Sequence, residues 1–176
     1  MCGIIGYIGN QNVAPILFSG LKRLEYRGYD SAGVATIDRG FHIKKDIGKL
    51  DSIHERINLL DLPGNLGIAH TRWATHGGVT KENAHPHLDC EGKIAVVHNG
   101  IVENYQELKA GLVKLGHVFK SQTDTEIIPH LIEEIMKKGR NFPDATVSAL
   151  RTLEGSYAVL ILREGERQLI AARKGS

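Results

Sequence analysis

With 176 residues, 41% of them hydrophobic and 24% charged, the chain can bury one core and has an ordinary globular composition. Its 22 basic and 20 acidic residues interleave to a net +2, leaving no basic stripe of the kind a nucleic-acid footprint needs. Charges interrupt every apolar run well short of the ~20 residues of a membrane span, no secretory leader is expected, and two cysteines, Cys2 and Cys90, make no disulfide framework; the expected setting is cytoplasmic, with no nucleic-acid or membrane partner.

Residues 2–8 read as a strand, and 10–12 as a turn. A helix follows to about Arg23, with Pro15 tolerated in its first turn and Leu17, Leu21 and Leu24 on its apolar face. Gly28 ends it. Residues 31–37 and 41–45 read as two strands around the turn Asp38-Arg39-Gly40. Residues 50–60 have helical spacing at Ile53, Ile57 and Leu60, until Pro63-Gly64-Asn65 breaks the chain. A strand is expected over 66–71, an irregular stretch rich in Gly, His and Pro over 72–92, and a strong strand over 93–98. Helices are expected over 105–115, from a Thr123-to-Glu126 capping box to Lys138, and over 143–153. A hairpin over 156–162 and 168–173 closes the chain around Glu164-Gly165-Glu166. Strands and helices cluster rather than alternate, which predicts antiparallel sheets with helices packed outside. The chain stops directly after a strand, as a fragment of a longer domain does.

Several stretches carry chemistry. Once Met1 is removed, Cys2 would hold a thiol and a free α-amine on one residue. The thiolate is the nucleophile, and an amine of pKa about 7.7–8.0 is suited to take its proton. A small buried hydrophobe is the alternative reading of the same residue. His98-Asn99-Gly100 is either a tight turn or an oxyanion site made from the Asn99 amide and the Gly100 N–H. Arg72 follows a strand and precedes the single tryptophan, Trp73. Its guanidinium suits a carboxylate and the indole could cover a ligand; a solvated arginine and a core tryptophan are the alternative. Asp124 is either a first-turn acid favoured by the helix dipole or a partner for a ligand ammonium. His76, His85, His87 and Cys90 suggest a metal, but their spacing fits no common zinc pattern, so polar loop histidines are the simpler reading and neither metal nor cofactor is expected. Arg27 and Asp30, flanking Gly28, could serve a site or pair with each other.

Together these motifs resemble one family. Cys2-Gly3-Ile4, Arg27 to Gly33 (RGYDSAG), His70 to Gly77 (HTRWATHG), Asn83 to His87 (NAHPH), His98 to Ile101 (HNGI) and Thr123 to Glu126 (TDTE) occur in the order found in the glutaminase domain of the class II glutamine amidotransferases, which are N-terminal nucleophile hydrolases. The resemblance spans the chain. It implies an α+β fold, a four-layer αββα sandwich of mostly antiparallel sheets. It implies Cys2 as nucleophile with its α-amine as base, and Asn99 and Gly100 as the oxyanion hole. Arg72 would take the glutamine α-carboxylate and Asp124 its α-ammonium; Trp73, Thr75 and His76 would line or close the pocket, with Arg27 near the amine. RGYDSAG with HTRWATHG is similar to the branch that feeds ammonia to fructose 6-phosphate, whereas the amidophosphoribosyltransferase and asparagine synthetase branches tend to read RGQDSAG and RGPD. A sugar-isomerising half, absent here, and a homodimer of the full-length protein are further expectations. The other class of function left standing is a small metal-binding module built on His85, His87 and Cys90.

Overall fold

The computed structural model describes residues 2–74 and 77–175. The chain runs β1 (Gly3–Ile8), α1 (Val13–Leu24), a 3₁₀ turn (Glu25–Arg27), β2 (Ser31–Asp38), β3 (Gly40–Ile47), α2 (Leu50–Ile57) and a second 3₁₀ turn (Leu59–Asp61). It continues through β4 (Leu66–Arg72), β5 (His87–Leu88), β6 (Ile94–Gly100), α3 (Tyr105–Lys114), α4 (Ile127–Lys137), α5 (Phe142–Arg151), β7 (Tyr157–Arg163) and β8 (Ile170–Lys174). Two four-stranded sheets result, in the orders β1-β4-β2-β3 and β5-β6-β7-β8. Every pairing is antiparallel.

Period-2 alternation along the strands builds the layers, because successive side chains leave a strand on opposite faces. In β6, Ile94 and Val96 join one apolar cluster while Ala95 and Val97 join another. In β7, Tyr157, Val159 and Ile161 face the first of these clusters and Leu160 and Leu162 the second. The second cluster lies between the sheets, where Ala35 and Ile37 of β2 and Leu66 and Ile68 of β4 meet it. Outside the first sheet, Val13, Leu17 and Leu21 of α1 and Leu50 and Ile53 of α2 pack on Ala32, Val34 and Ala69. Outside the second, Ile128 and Ile132 of α4 and Phe142, Ala145 and Ala149 of α5 pack on β6 and β7. The expected αββα sandwich is thus present, with three apolar cores separating four layers.

Local chemistry sets the helix ends. Asn12 caps α1 by accepting from Ala14 N at 3.2 Å, and Asn141 caps α5 by accepting from Asp144 N at 2.9 Å. The helix expected over 50–60 stops at Ile57, since Asn58 takes a left-handed conformation (φ 44°) and the chain tightens into the 3₁₀ turn. The capping box expected at 123–126 is not formed. Glu126 instead turns its carboxylate back onto Lys120 N and Ser121 N, at 2.7 and 2.6 Å, and Thr123 Oγ1 lies 3.0 Å from His87 Nε2. With Glu126 engaged by the preceding loop and Thr123 by His87 of β5, α4 begins only at Ile127. Among the described residues, no helix is long and apolar enough to cross a membrane.

Candidate active site

The ends of β1, β4 and β6 converge where Cys2 precedes β1. β4 pairs with β1 so that Gly3 faces Thr71, which sets Cys2 beside the chain leaving β4. There Trp73 N–H donates to Cys2 Sγ at 3.2 Å, and Sγ lies 3.5 Å from Trp73 O. Burial pushes the Cys2 thiol up from its ordinary value; the Trp73 N–H works against this, and the nearby Arg72 guanidinium partly offsets the Asp30 carboxylate. A cleft of about 30 Å³ opens in front of the sulfur. Cys2, Arg72, Trp73, Gly100 and Asp124 line it, together with His85, His98, Thr123 and Thr125.

Two glycines permit this approach. A Cβ on Gly28 would lie 2.7 Å from Arg72 C and 2.9 Å from Trp73 N, so the turn after α1 can rest on the end of β4 only as glycine. Gly100 has φ +135°, and a Cβ there would lie 2.1 Å from Ser156 O. Between them Asp30 fastens the strand end. Its N–H donates to Arg72 O at 3.1 Å, and its carboxylate accepts from Ala74 N and, at 3.0 Å, from Ser31 Oγ. Asp30 therefore serves the backbone that holds the sulfur.

Arg72 and Asp124 are both buried at the cleft. Arg72 Nη1 donates to Gly78 O at 3.1 Å, and Asp124 Oδ2 accepts from Val102 N at 2.7 Å. Asn83 joins the segment that follows Arg72 to the loop that carries Asp124: its Nδ2 donates to Gly78 O at 3.0 Å and its Oδ1 accepts from Gln122 N at 2.9 Å. A cation and an anion at one cleft match the two charged groups of an α-amino acid.

Asn99 stands behind the sulfur. Its Nδ2 donates to Cys2 O at 3.0 Å, while its Oδ1 lies 3.1 Å from His70 Nε2. His70 Nε2 is also 3.1 Å from His98 O, so both of its neighbours are acceptors and the ring must carry its proton there. Burial holds the His70 imidazole at a pKa of about 3, hence neutral. The histidine thereby sets which way the Asn99 amide faces, with one of its two N–H bonds spent on Cys2 O and the other without a partner among the described residues.

Of the residues singled out in the sequence, Cys2, Arg72, Trp73, Asn99, Gly100 and Asp124 come together. Trp73 is 46% exposed, edge-on to Tyr29, and is not the core residue of the alternative reading. Arg27 Nε donates to Tyr26 Oη at 2.9 Å, and Arg27 is not among the described residues lining the cleft. Thr75 and His76, like Met1, lie outside the described residues. The His85, His87 and Cys90 grouping comes apart. His85 is stacked on His70 at 4.0 Å, His87 meets Thr123, and Cys90 faces His117 and His130 instead. Sequence reasoning gave no site role to His70, Asn83, His98, Thr123 or Thr125 and read His85 as a loop histidine or metal ligand, although the HTRWATHG, NAHPH, HNGI and TDTE motifs contain all six.

The sequence profile of the family described as "Glutamine amidotransferase domain" matches residues 70–175. The chain is 58% identical to the glutamine–fructose-6-phosphate aminotransferase (isomerizing) of Pyrococcus horikoshii, across all of this chain and 30% of that protein. It is 49% identical to the protein of the same name from Thermus thermophilus, across 98% of this chain and 28% of that one. The chain therefore spans about 30% of the length of these curated relatives. Among solved structures, the glutamine phosphoribosylpyrophosphate amidotransferase from B. subtilis superposes with a TM-score of 0.84 at 30% identity, covering 98% of this chain and 37% of that one. A glutamine aminotransferase class-II domain protein from Silicibacter pomeroyi shares the fold, with a TM-score of 0.65 at 18% identity, over 98% of this chain and 76% of that one.

Proposed function

This chain belongs to the glutamine amidotransferase domain family, and on that premise we propose that it hydrolyses L-glutamine to glutamate and ammonia through a thioester on Cys2. The observation that carries the reading is one sulfur, gripped by the Trp73 N–H, at a cleft that also holds Arg72 and Asp124. In this mechanism Met1 is removed and the Cys2 α-amine takes the thiol proton as the sulfur attacks the side-chain amide. Arg72 holds the α-carboxylate and Asp124 the α-ammonium. Negative charge develops on the amide oxygen, and the free N–H of Asn99 with the Gly100 N–H stabilises it. The amine returns its proton to the leaving nitrogen, ammonia departs, and water cleaves the γ-glutamyl thioester to glutamate. Trp73 stands at the mouth as a cover, with Thr75 and His76 expected beside it and Arg27 near the amine.

The ammonia serves the conversion of fructose 6-phosphate to glucosamine 6-phosphate, in a cytoplasmic, dimeric full-length protein whose further domain isomerises the sugar. The names and lengths of the relatives support this reading.

The test is direct. The intact mass is measured, then glutamate release is followed with and without an electrophilic glutamine analogue. Chains lacking Met1 should turn over glutamine and carry the label on Cys2. A version with a permanent residue ahead of Cys2 should be inactive; full activity in that version refutes the mechanism.

A further inference from the structure

Away from the cleft, the turn after β5, the loop after α3 and helix α4 bring four ligand-type side chains to one point. Cys90 Sγ is 3.5 Å from His117 Nδ1 and 3.4 Å from His130 Nδ1, and those two nitrogens are 3.2 Å apart. Glu133 Oε2 is 3.2 Å from His117 Nδ1 and 3.5 Å from His130 Nδ1. All four atoms lie within 4.8 Å of one another.

Hydrogen bonds do not account for this convergence. His117 Nδ1 faces a sulfur, a nitrogen and a carboxylate oxygen, and one ring proton can serve only one of them. The outer nitrogens also point the other way. His117 Nε2 lies 3.3 Å from Glu134 Oε2, and His130 Nε2 lies 3.6 Å from Glu126 Oε1. Glu134 favours the proton on Nε2 of His117, so its Nδ1 is a bare lone pair facing the His130 Nδ1, a thiol and an anion; His130 Nε2 has no hydrogen-bond partner among the described residues, which leaves its own Nδ1 free to act as a ligand. The one S–H among them can serve only one of these acceptors, whereas a cation satisfies them all.

We propose that Cys90, His117, His130 and Glu133 form a tetrahedral Zn²⁺ site. With arms of about 2.0–2.1 Å to nitrogen and about 2.3 Å to sulfur, a tetrahedron has N···N edges of about 3.3–3.4 Å and N···S edges of about 3.5–3.6 Å, close to the separations present. A thiolate, two imidazoles and a carboxylate suit zinc, and Glu134 behind His117 is the kind of outer partner such a ligand uses. Two ligand charges neutralise the ion, and the Cys90 S–H proton passes to solvent as the Zn–S bond forms.

The surroundings are built to hold these atoms. His117 and His130 have side chains only 1% exposed. Cys90 N donates to Glu133 Oε2 at 3.1 Å, and Lys137 Nζ donates to Glu133 Oε1 at 2.7 Å, which fixes that carboxylate. Asp89 clamps the turn carrying Cys90 by accepting from Lys93 N and Ile94 N at 2.7 and 2.9 Å. Cys90 itself is exposed and gives the ion its path in. The bound ion would tie the β5–β6 turn to the loop that ends in Asp124. The site was hidden from the sequence because Cys90 is 27 residues from His117 and 40 from His130.

The test loads the purified chain with Zn²⁺ or Co²⁺, desalts it, and measures bound metal and the visible spectrum. One zinc per chain is expected, and the cobalt form should show the intense bands of a tetrahedral site with a thiolate charge-transfer band. Cys90→Ser should abolish the charge-transfer band, His117→Ala should lose the stoichiometric metal, and Glu134→Gln should weaken binding by about 10–100-fold. Circular dichroism reports whether His117→Ala folds; exposed Cys90→Ser keeps the test valid if it does not. No retained metal, an octahedral cobalt spectrum, or an unchanged charge-transfer band in Cys90→Ser would overturn the site.

Discussion

In the proposed mechanism, His70 and Asn99 form the smallest unit on which turnover would depend. Asn99→Ala should lower kcat by ~10²–10³-fold, the usual effect of losing one oxyanion donor. Turnover unchanged in that variant would remove Asn99 from the role. The contact from His70 Nε2 to Asn99 Oδ1, at 3.1 Å, makes a sharper prediction. His70→Ala leaves the amide free to turn, and misplacement of a reacting group by about 1 Å costs roughly 10²-fold. The loss should fall on kcat with KM little changed, because His70 is not among the described residues lining the cleft. His70→Gln, which can still offer an N–H, should recover part of the rate. A rise in KM alone, or no rescue, would mean that His70 only fills space.

At the level of elements, the site depends on how closely the turn after α1 lies against the end of β4. Gly28→Ala puts a methyl 2.7 Å from Arg72 C, against backbone that cannot swing aside as a side chain can. Overpacking of this kind costs typically about 1–3 kcal/mol. The displaced atoms belong to the peptide whose N–H holds Cys2 Sγ, so kcat/KM should fall further than stability alone explains. Urea unfolding beside glutaminase rates separates the two, and a variant that lost stability but kept its rate would contradict the link. The elements themselves were largely legible in the sequence. Strand alternation, helical spacing of apolar residues and turn residues are local signals, and β1, β2, β4, β6, α1, α3 and α5 begin and end near where those signals put them. Cys2, Arg72, Asn99 and Asp124 were singled out for a different reason: the motifs that contain them resemble one family, and the structure brings them to one place. The capping box failed because Glu126 spends its carboxylate on Lys120 N and Ser121 N. The Asn83 bridge from Gly78 to Gln122 and the His70 contact to Asn99 were invisible, since each joins segments that no periodicity relates.

At the scale of the whole molecule, four histidines among the described residues are enclosed by the sandwich with their neutral form favoured. Burial holds His70 at a pKa of about 3, pushes His85 and His87 well below the usual 6.5, and lowers His98. Their charged neighbours act in both directions. Arg72 and Lys45 oppose protonation of His87, while Glu126 favours it, and Asp124 favours protonation of His98. In the unfolded chain each ring takes a proton as pH falls through about 6.5. The unfolded state then binds more protons than the folded one, so stability is full above that pH and declines as pH falls toward the folded values. Each fully depressed histidine contributes a slope of up to about 1.4 kcal/mol per pH unit. Carboxylates held at about 2, Glu126 and Glu133, lose their contribution only below about pH 4.5, in a separate window. Urea unfolding between about pH 6 and 5 should therefore show uptake of more than one proton per chain. His85→Gln keeps an acceptor for His98 N, which now meets His85 Nδ1 at 3.3 Å, and removes one titrating ring. Its slope should be smaller by about one proton, and subtracting the two slopes cancels whatever the carboxylates or a bound metal add. Equal slopes in the two proteins would mean that His85 is not held neutral by the fold.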